Sequence, residues 1–424
     1  MSKALNYQPL TPESLPLRLN CVKAVTDQIG TDTYRWRVQE VGDGNLNLVF
    51  IVQSDVGSVI VKQALPYVRL VGDSWPLPLS RSYYEYHALT RQAARAPDKV
   101  PAVQYFDEVQ ALIVMEFLSP HHILRYSLQT GQIHETLGKT LGQFCANTLF
   151  KGSDYYMEST ERKLDVALFS GNAALCDITE SLVFTDPYYD APMNRHTSPQ
   201  LDGLVAHLRA DDELKFAAQR MKFAFCSQAE TMLHGDLHTG SVMVHGDDAK
   251  VIDPEFVLYG PMGFDLGMLT ANFILAWCAQ PGYATQDDNR QEYRVWIQSV
   301  ITDVWHHFDQ QFSVLWKNQR HGILYPASLF EDQGHESILD KALQVELARI
   351  WTDAMGFCGC EMIRRTLGLA HIAEYDDIEE PEVRSFCEAA GLRIARTLLV
   401  DRHQLRSLAD VFSLMQAHAP EIKV

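Results

Sequence analysis

The sequence has no long apolar run, no internal repeat and no low-complexity linker, and it is short of basic residues. Each absence narrows the field. No stretch approaches the roughly eighteen apolar residues that a membrane-spanning helix needs. The longest candidate, Met268 to Ala279, is interrupted by Thr270 and Asn272 and reads as a buried helix. The opening Met1-Ser2-Lys3-Ala4-Leu5-Asn6 lacks the apolar core of a signal peptide, so a cytoplasmic protein with no membrane partner is expected. Lys and Arg number 36 against 54 Asp and Glu, for a formal net charge of −18. Such a surface repels phosphate backbones, which makes nucleic acid a poor partner. It leaves room for a nucleotide held by local positive groups and metal. Its plainer consequence is solubility.

Zinc-ligand spacing is also missing. The eight cysteines are scattered, several of them inside apolar helical stretches, as expected for reduced core residues. Cys358-Gly359-Cys360 has no second Cys or His pair at zinc spacing, so packing is favoured there over metal.

What is present is a long, evenly apolar chain, 424 residues and 46% hydrophobic, enough for two domains or lobes with real cores. Arg35 to Val41, Leu46 to Gln53 and Ser58 to Leu65 read as an antiparallel meander. Gly42-Asp43-Gly44-Asn45 supplies its first turn. After the proline-rich Pro66 to Pro78, a helix is predicted over Arg81 to Ala94 with Ser80 as its cap. Ala102 to Asp107 and Ala111 to Phe117 complete a five-stranded sheet with one inserted helix. Beyond Ser119-Pro120 helical periodicity dominates: Leu137 to Leu149, Leu201 to Gln228, Glu292 to Gln311, Ile338 to Leu367 and Glu382 to Leu399. Two short strands, near Ser241 to Val244 and Lys250 to Asp253, interrupt it. The expectation is a bilobal α+β protein: residues 1–117 a nucleotide-binding sheet lobe, residues 118–424 a mostly helical lobe with the catalytic loop, metal motif and substrate pocket.

The strongest motif is His234-Gly235-Asp236-Leu237-His238-Thr239-Gly240-Ser241, followed after a short hairpin by Asp253-Pro254-Glu255. Phosphoryl transfer needs a carboxylate that orients the attacking hydroxyl and accepts its proton, and Asp236 is the candidate. Pro254 is expected to hold Asp253 extended. Residues two apart in an extended chain share a face. Asp253 and Glu255 would then present hard oxygen ligands to Mg²⁺ on a nucleotide. Two solvated acids in a turn is the alternative, less favoured beside the loop. His234 and His238 read as loop braces; no Glu lies between them as in zinc proteases. Lys62, in the apolar run Ser58 to Gln63, would be costly unless it is paired or bound to a ligand. Glu85 on the next helix is its candidate partner, and an ordinary edge-strand lysine is the alternative. Gly42 to Asn47 can be a nucleotide lid or simply a hairpin turn, since it lacks a full Gly-x-Gly-x-x-Gly. Arg364-Arg365 lies in an apolar, small-residue helix. It can grip sugar hydroxyls or developing phosphate charge, or be a surface salt-bridge pair; the residues leave both open.

His-Gly-Asp-Leu-His with an acidic metal motif resembles the aminoglycoside phosphotransferase and choline kinase group, which has the protein-kinase-like fold. Within it, Gly42 to Asn47, Lys62-Gln63-Ala64-Leu65-Pro66, His234 to Ser241, Asp253-Pro254-Glu255-Phe256 and Arg364-Arg365 resemble the bacterial and plant methylthioribose kinase family. The resemblance implies transfer of the ATP γ-phosphoryl to the anomeric hydroxyl of methylthioribose, in methionine salvage, by a homodimer. It implies Asp236 as base, Asp253 and Glu255 on Mg²⁺, and Arg364 and Arg365 on the sugar. It puts Lys62, paired with Glu85, on the phosphates, Asn45 in the lid, Trp75 in a loop over the nucleotide, and Glu116 to Leu118 at a hinge meeting adenine through backbone groups. Ser241 stands where kinase loops carry an Asn metal ligand, so one or two Mg²⁺ ions are both open. A kinase for choline, homoserine or an aminoglycoside is the nearest alternative, and a catalytically dead nucleotide-binding scaffold the non-enzymatic one.

Overall fold

A computed structural model describes residues 6–42, 46–69 and 72–420. The chain folds as two compact units. Residues 1–121, 172–175 and 250–257 make the first, and the remaining segments, 122–171, 176–249 and 258–424, make the second. The segment 250–257, with the acidic triplet, therefore belongs to the sheet-bearing unit.

The first unit contains α1 (Ser14–Leu19), α2 (Lys23–Ile29), β1 (Arg37–Val41), β2 (Asn47–Gln53), β3 (Ser58–Ala64), β4 (Tyr67–Val68), β5 (Gly72–Pro76), α3 (Arg81–Arg95), β6 (Val103–Asp107) and β7 (Leu112–Glu116). The main sheet is antiparallel, in the order β1-β2-β3-β7-β6. Strand alternation gives it two faces. Phe50 and Val52 of β2, Val59 and Val61 of β3, and Leu112 and Val114 of β7 pack on one face against Leu15, Leu19, Val25 and Ile29 of the first two helices. Lys62 belongs to the opposite set, with Val49 and Ile113 as its cross-strand neighbours. The sequence reading had a single helix in this unit; α1 and α2 are additional, and so is the small β4–β5 hairpin in the proline-rich stretch.

Helix α3 starts where predicted, but Ser80 is no side-chain cap. It already has helical dihedrals, and the first N–H groups are taken by the carbonyls of Pro78, Leu79 and Ser80 instead. Asn45, like Asp43 and Gly44, lies outside the described residues.

The second unit is mostly helical. From residue 122 on, the elements are β8 (His122–Ile123), α4 (Leu124–Thr130), α5 (Leu137–Lys151), α6 (Ser159–Phe169), α7 (Ala173–Leu182, its first three residues in the first unit), α8 (Asp202–Ala210), α9 (Asp212–Ser227), β9 (Thr231–Met232) and β10 (Val242–His245). There follow β11 (Asp248–Val251, whose last two residues fall in the first unit), β12 (Tyr259–Gly260), α10 (Gly263–Ala279), α11 (Gln291–Gln319), α12 (Glu336–Leu367), α13 (Ala373–Asp376), α14 (Pro381–Val400) and α15 (Leu408–Ala417). Every residue of α10 is buried. Among the described residues no single helix is long and apolar enough to cross a membrane.

The helices α10, α12 and α14 approach each other closely because glycine stands at their crossings. A Cβ on Gly267 would lie 2.6 Å from the Ala354 carbonyl oxygen and 2.8 Å from Phe357 Cβ. One on Gly359 would lie 2.6 Å from the Ala395 carbonyl oxygen. This explains the small-residue run in α12, and with it Cys358-Gly359-Cys360. Both thiols are buried and free, and Cys358 Sγ lies 4.0 Å from Met362 Sδ. Five of the eight cysteines are core residues, whereas Cys21 and Cys226 are exposed and Cys176 is partly so. Gly267→Ala should force α10 and α12 apart and destabilise the protein by about 1–3 kcal/mol. Urea unfolding would show this as a lower midpoint, and an unchanged midpoint would refute the crossing argument.

Candidate active site

In the first unit, Lys62 is on the central strand of the sheet, so the edge-strand alternative is excluded. Its ammonium donates to Glu85 Oε1 at 2.8 Å and to the Asp253 carboxylate. Burial would lower the Lys62 pKa, but Asp253, Glu85 and Glu255 outweigh it and keep the amine charged. Glu255 is buried as well. It accepts from Asn47 Nδ2 at 3.0 Å and lies 3.7 Å from the Arg81 guanidinium. Arg81 in turn donates to the carbonyls of Leu65 and Leu46 and to Asn47 Oδ1. Asn172 Nδ2 holds the backbone of the triplet by donating to the carbonyls of Glu255 and Val257.

The extended-chain argument for Asp253 does not hold. The strand ends at Val251, and Asp253 has φ +71°, in the left-handed region. The following proline disfavours the right-handed helical region but not this one, and a short polar side chain such as Asp tolerates it. The two carboxylates are neighbours through a turn, not through strand alternation. Three carboxylates thus gather near two cationic side chains. Burial first, then Asp253 and Glu255, push the Glu85 carboxyl up to about 8 against the pull of Lys62. Burial and then Asp253 raise Glu255 against the pull of Lys62 and Arg81. Crowded carboxylates that resist ionising beside one another are hard oxygen donors whose charge a divalent cation on a nucleotide would offset, so Asp253 and Glu255 fit Mg²⁺. Among the described residues no group of three or more His, Cys, Asp or Glu side chains is arranged to hold a metal by itself. A nucleotide-bridged Mg²⁺ does not require one.

The remaining nucleotide candidates are placed as follows. Glu116 ends β7, and its N–H donates to the Ala102 carbonyl at 2.9 Å, so that group is committed and not open to adenine. Its carboxylate accepts from Ala102 N and lies 3.6 Å from Lys250 Nζ. Leu118 follows the strand and is buried. Trp75 is half-buried on β5.

In the second unit, the loop 234–241 is held from below by Asp265 at the start of α10. Its carboxylate accepts the backbone N–H groups of His234 at 2.7 Å and Gly235 at 3.1 Å. His234 Nδ1 accepts from Asp236 N at 3.3 Å, and Ser241 Oγ donates to the Asp236 carbonyl at 3.1 Å. His234 and Ser241 are therefore braces of this loop. His238 has a defined tautomer. Its Nδ1 faces two donors, Gly240 N and Arg125, and must accept. The proton sits on Nε2, 3.3 Å from Asp236 Oδ2. Burial, with Arg365 and Arg125, pushes the imidazole down to about 4 against the pull of Asp236, so it is neutral near pH 7. Arg125 is itself steadied by the buried Glu374 at 3.4 Å.

The arginine pair lies on the last turn of α12 and is buried, which removes the surface-pair alternative. Arg364 donates to Asp236 Oδ1 at 2.8 Å and Arg365 to the same oxygen at 3.3 Å. Glu361, one turn back, takes the Nε–H of both. Burial would raise the Asp236 carboxyl, but His238, Arg364 and Arg365 hold it well below the usual carboxylate range. With His238 neutral, the arginines carry most of this effect. The loop thus presents an ionised, fully oriented carboxylate beside fixed donors, an arrangement that can align a hydroxyl and stabilise charge on it.

Comparison with known proteins decides what these parts belong to. Residues 37–296, more than half of the chain, match the phosphotransferase enzyme family (APH). Methylthioribose kinase 1 of Oryza sativa subsp. japonica is 40% identical over 97% of this chain and 96% of its own length. The methylthioribose kinase of Escherichia coli O45:K1 (strain S88 / ExPEC) is 41% identical over 96% of each. The chain belongs to the methylthioribose kinase family. It is accordingly an ATP-dependent phosphotransferase with the protein-kinase-like fold. A solved glucosamine kinase in complex with glucosamine, ADP and inorganic phosphate is also similar, at 11% identity and TM-score 0.45, covering 91% of this chain and 86% of that one.

Within this methylthioribose kinase family chain, several site residues were not legible in the sequence, Asn172, Arg125 and Glu374 among them. Asp265 looked like one polar residue at the head of an apolar helix, and Glu361 like one charge in an apolar run; only a helix register relative to other elements reveals them. Asn47 closed the candidate lid Gly42 to Asn47 and Arg81 opened the predicted helix, but nothing in their spacing tied them to Glu255.

Proposed function

We propose that this chain transfers the γ-phosphoryl group of ATP to the anomeric 1-hydroxyl of S-methyl-5-thioribose, giving S-methyl-5-thioribose 1-phosphate in methionine salvage. The observation that supports this reading best is the buried Arg364–Arg365 pair converging on Asp236, in a chain about two-fifths identical to methylthioribose kinases. Choline would call for acids and aromatics around a cation. Two buried guanidiniums beside the acceptor carboxylate suit a neutral, hydroxyl-rich sugar instead.

In this reading Asp236 accepts a hydrogen bond from the sugar 1-hydroxyl and takes its proton as the new O–P bond forms and ADP leaves. Its low proton affinity makes orientation the larger part of its work, as suits a loose phosphoryl-transfer transition state. Arg364 and Arg365 donate to the sugar and to charge on the transferring group. Lys62, held by Glu85, contacts the nucleotide phosphates. Asp253 and Glu255 would hold Mg²⁺, which would supply neutralisation of charge on those phosphates. Ser241 is a possible further ligand only through the oxygen that also braces the loop. The adenine would meet the Glu116–Leu118 segment by the Glu116 carbonyl and the Leu118 peptide, with Trp75 in the loop over the nucleotide. A cytoplasmic homodimer is part of the same reading.

The test is an ADP-release assay with methylthioribose, choline, homoserine and an aminoglycoside. Methylthioribose should lead in kcat/KM by about a hundredfold or more, the discrimination a site with dedicated hydrogen-bond donors provides. Another substrate leading would overturn the assignment. Arg364→Lys and Arg365→Lys keep the charge and lose the planar fork. Each should lower kcat/KM for the sugar by about 2 kcal/mol, the order of a hydrogen bond involving a charged group. MgATP affinity, read by titration calorimetry, should barely change. Equal losses for both ligands would move the arginines to the nucleotide.

A further inference from the structure

Two adjacent guanidiniums buried in one helix turn repel each other, and neither would by itself choose to face Asp236. Something must neutralise and aim them. Glu361 is fully buried and contacts both: its Oε2 lies 2.5 Å from Arg364 Nε, and its Oε1 lies 2.7 Å from Arg365 Nε. The i, i+3 and i, i+4 spacings place all three on one helix face. Arg364 Nη2 adds a third contact, to Glu361 Oε1 at 3.3 Å, and Asn272 of α10 a fourth, Nδ2 to Glu361 Oε1 at 3.1 Å. The same Nδ2 also donates to the Met268 carbonyl at 2.9 Å, which fixes the amide from its own helix.

A guanidinium is a rigid plane, so fixing its Nε–H fixes where its terminal N–H groups point. With both Nε–H groups on Glu361, one terminal nitrogen of each arginine reaches Asp236 Oδ1. The four groups form two anions and two cations, closed and neutral, with the arginines pulling the Glu361 carboxyl down to about 2 against its burial.

We infer that Glu361, steadied by Asn272, is a positioning residue for phosphoryl transfer: it neutralises Arg364 and Arg365 and aims them at Asp236 without touching the substrate. This rests on the reading that Asp236 and the arginine pair meet the acceptor hydroxyl. It adds a residue that neither the motif nor its spacing marks.

The test is Glu361→Gln in the full-length enzyme, alone and combined with Arg365→Lys. The amide accepts from one guanidinium only and turns donors toward the other. The single variant should lose about thirtyfold or more in kcat, as for removal of a preorganised donor, while MgATP affinity stays within about threefold. Because Glu361 acts through the arginines, the losses should not multiply: the double variant should be no more than about threefold worse than the poorer single one. Losses that multiply, or a folded Glu361→Gln enzyme with wild-type kcat, overturn the proposal. If Glu361→Gln does not fold, Asn272→Ala decides. It removes the hydrogen bond to Glu361, together with the local one to the Met268 carbonyl, and leaves every charge; it should cost about three- to tenfold in kcat at unchanged MgATP affinity. Wild-type kcat in a folded Asn272→Ala enzyme overturns the proposal too. All measurements use whichever acceptor of the substrate panel the wild-type enzyme phosphorylates. A different preferred acceptor would therefore sink the substrate assignment and still leave the coupling of Glu361 to Arg365 measurable.

Discussion

Asp236→Asn should reduce kcat by about a hundredfold or more, the order expected for loss of a positioned base. The amide preserves size and can keep an oxygen on Arg364 and Arg365. Its nitrogen then faces His238 Nε2–H, donor against donor, because the imidazole has no freedom to change tautomer while Gly240 N and Arg125 occupy Nδ1. Two defects are combined: the acceptor for the hydroxyl proton is gone, and the buried arginines keep only Glu361 as counterion. The folded state should persist by circular dichroism, and MgATP titration should give an affinity within about threefold of wild type, since charge loss acts on the step that needs the carboxylate. Near-normal turnover would remove Asp236 from this role.

Asp253→Ala should weaken MgATP binding by about tenfold or more at low millimolar Mg²⁺, the scale set by losing a carboxylate ligand to a hard cation. The backbone complicates this variant, because alanine at φ +71° carries its own strain. Asp253→Asn is the cleaner companion: asparagine accepts the left-handed region and only the charge is lost. Glu255→Ala should weaken binding to a similar or lesser degree. Glu255 is buried and already tied to Asn47 and near Arg81, whereas the Asp253 side chain is 45% exposed and can turn to a cation. Calorimetric titration of MgATP against Mg²⁺ concentration checks all three. Unchanged affinity in both Asp253 variants would leave the acidic triplet without its metal role.

Much of this was legible in the sequence for definite reasons. The meander is marked by alternation and by turn residues, and Lys62 by the cost of a charge in an apolar strand. The long helices α11, α12 and α14 follow their periodicity to within a few residues, apart from the C-terminal extension of α11 to Gln319. What failed depended on information outside the local window. Asp253 takes a left-handed dihedral in a turn that Asn172 anchors further on, at Glu255 and Val257, and the proline after Asp253 does not announce it. The Ser80 side chain lost its capping role to a preceding turn. The burial of Arg364 and Arg365 could not be separated from exposure until Glu361 and Asp236 were seen around them. A charge pair on an apolar helix looks alike in both cases, and only the counter-charges distinguish them.

The helices α1 and α2 limit how far the chain can be shortened. Leu15, Leu19, Val25 and Ile29 cover the sheet face formed by Phe50, Val52, Val59, Val61, Leu112 and Val114. A version trimmed to start at Trp36 would keep every motif residue yet bare that face to water, a contiguous apolar surface of the kind that drives aggregation. The segment before these helices is tied down too, since Tyr7 donates to the Ala64 carbonyl and the Gln63 amide donates to the Gln8 carbonyl, although no residue in α1 or α2 touches the chemistry.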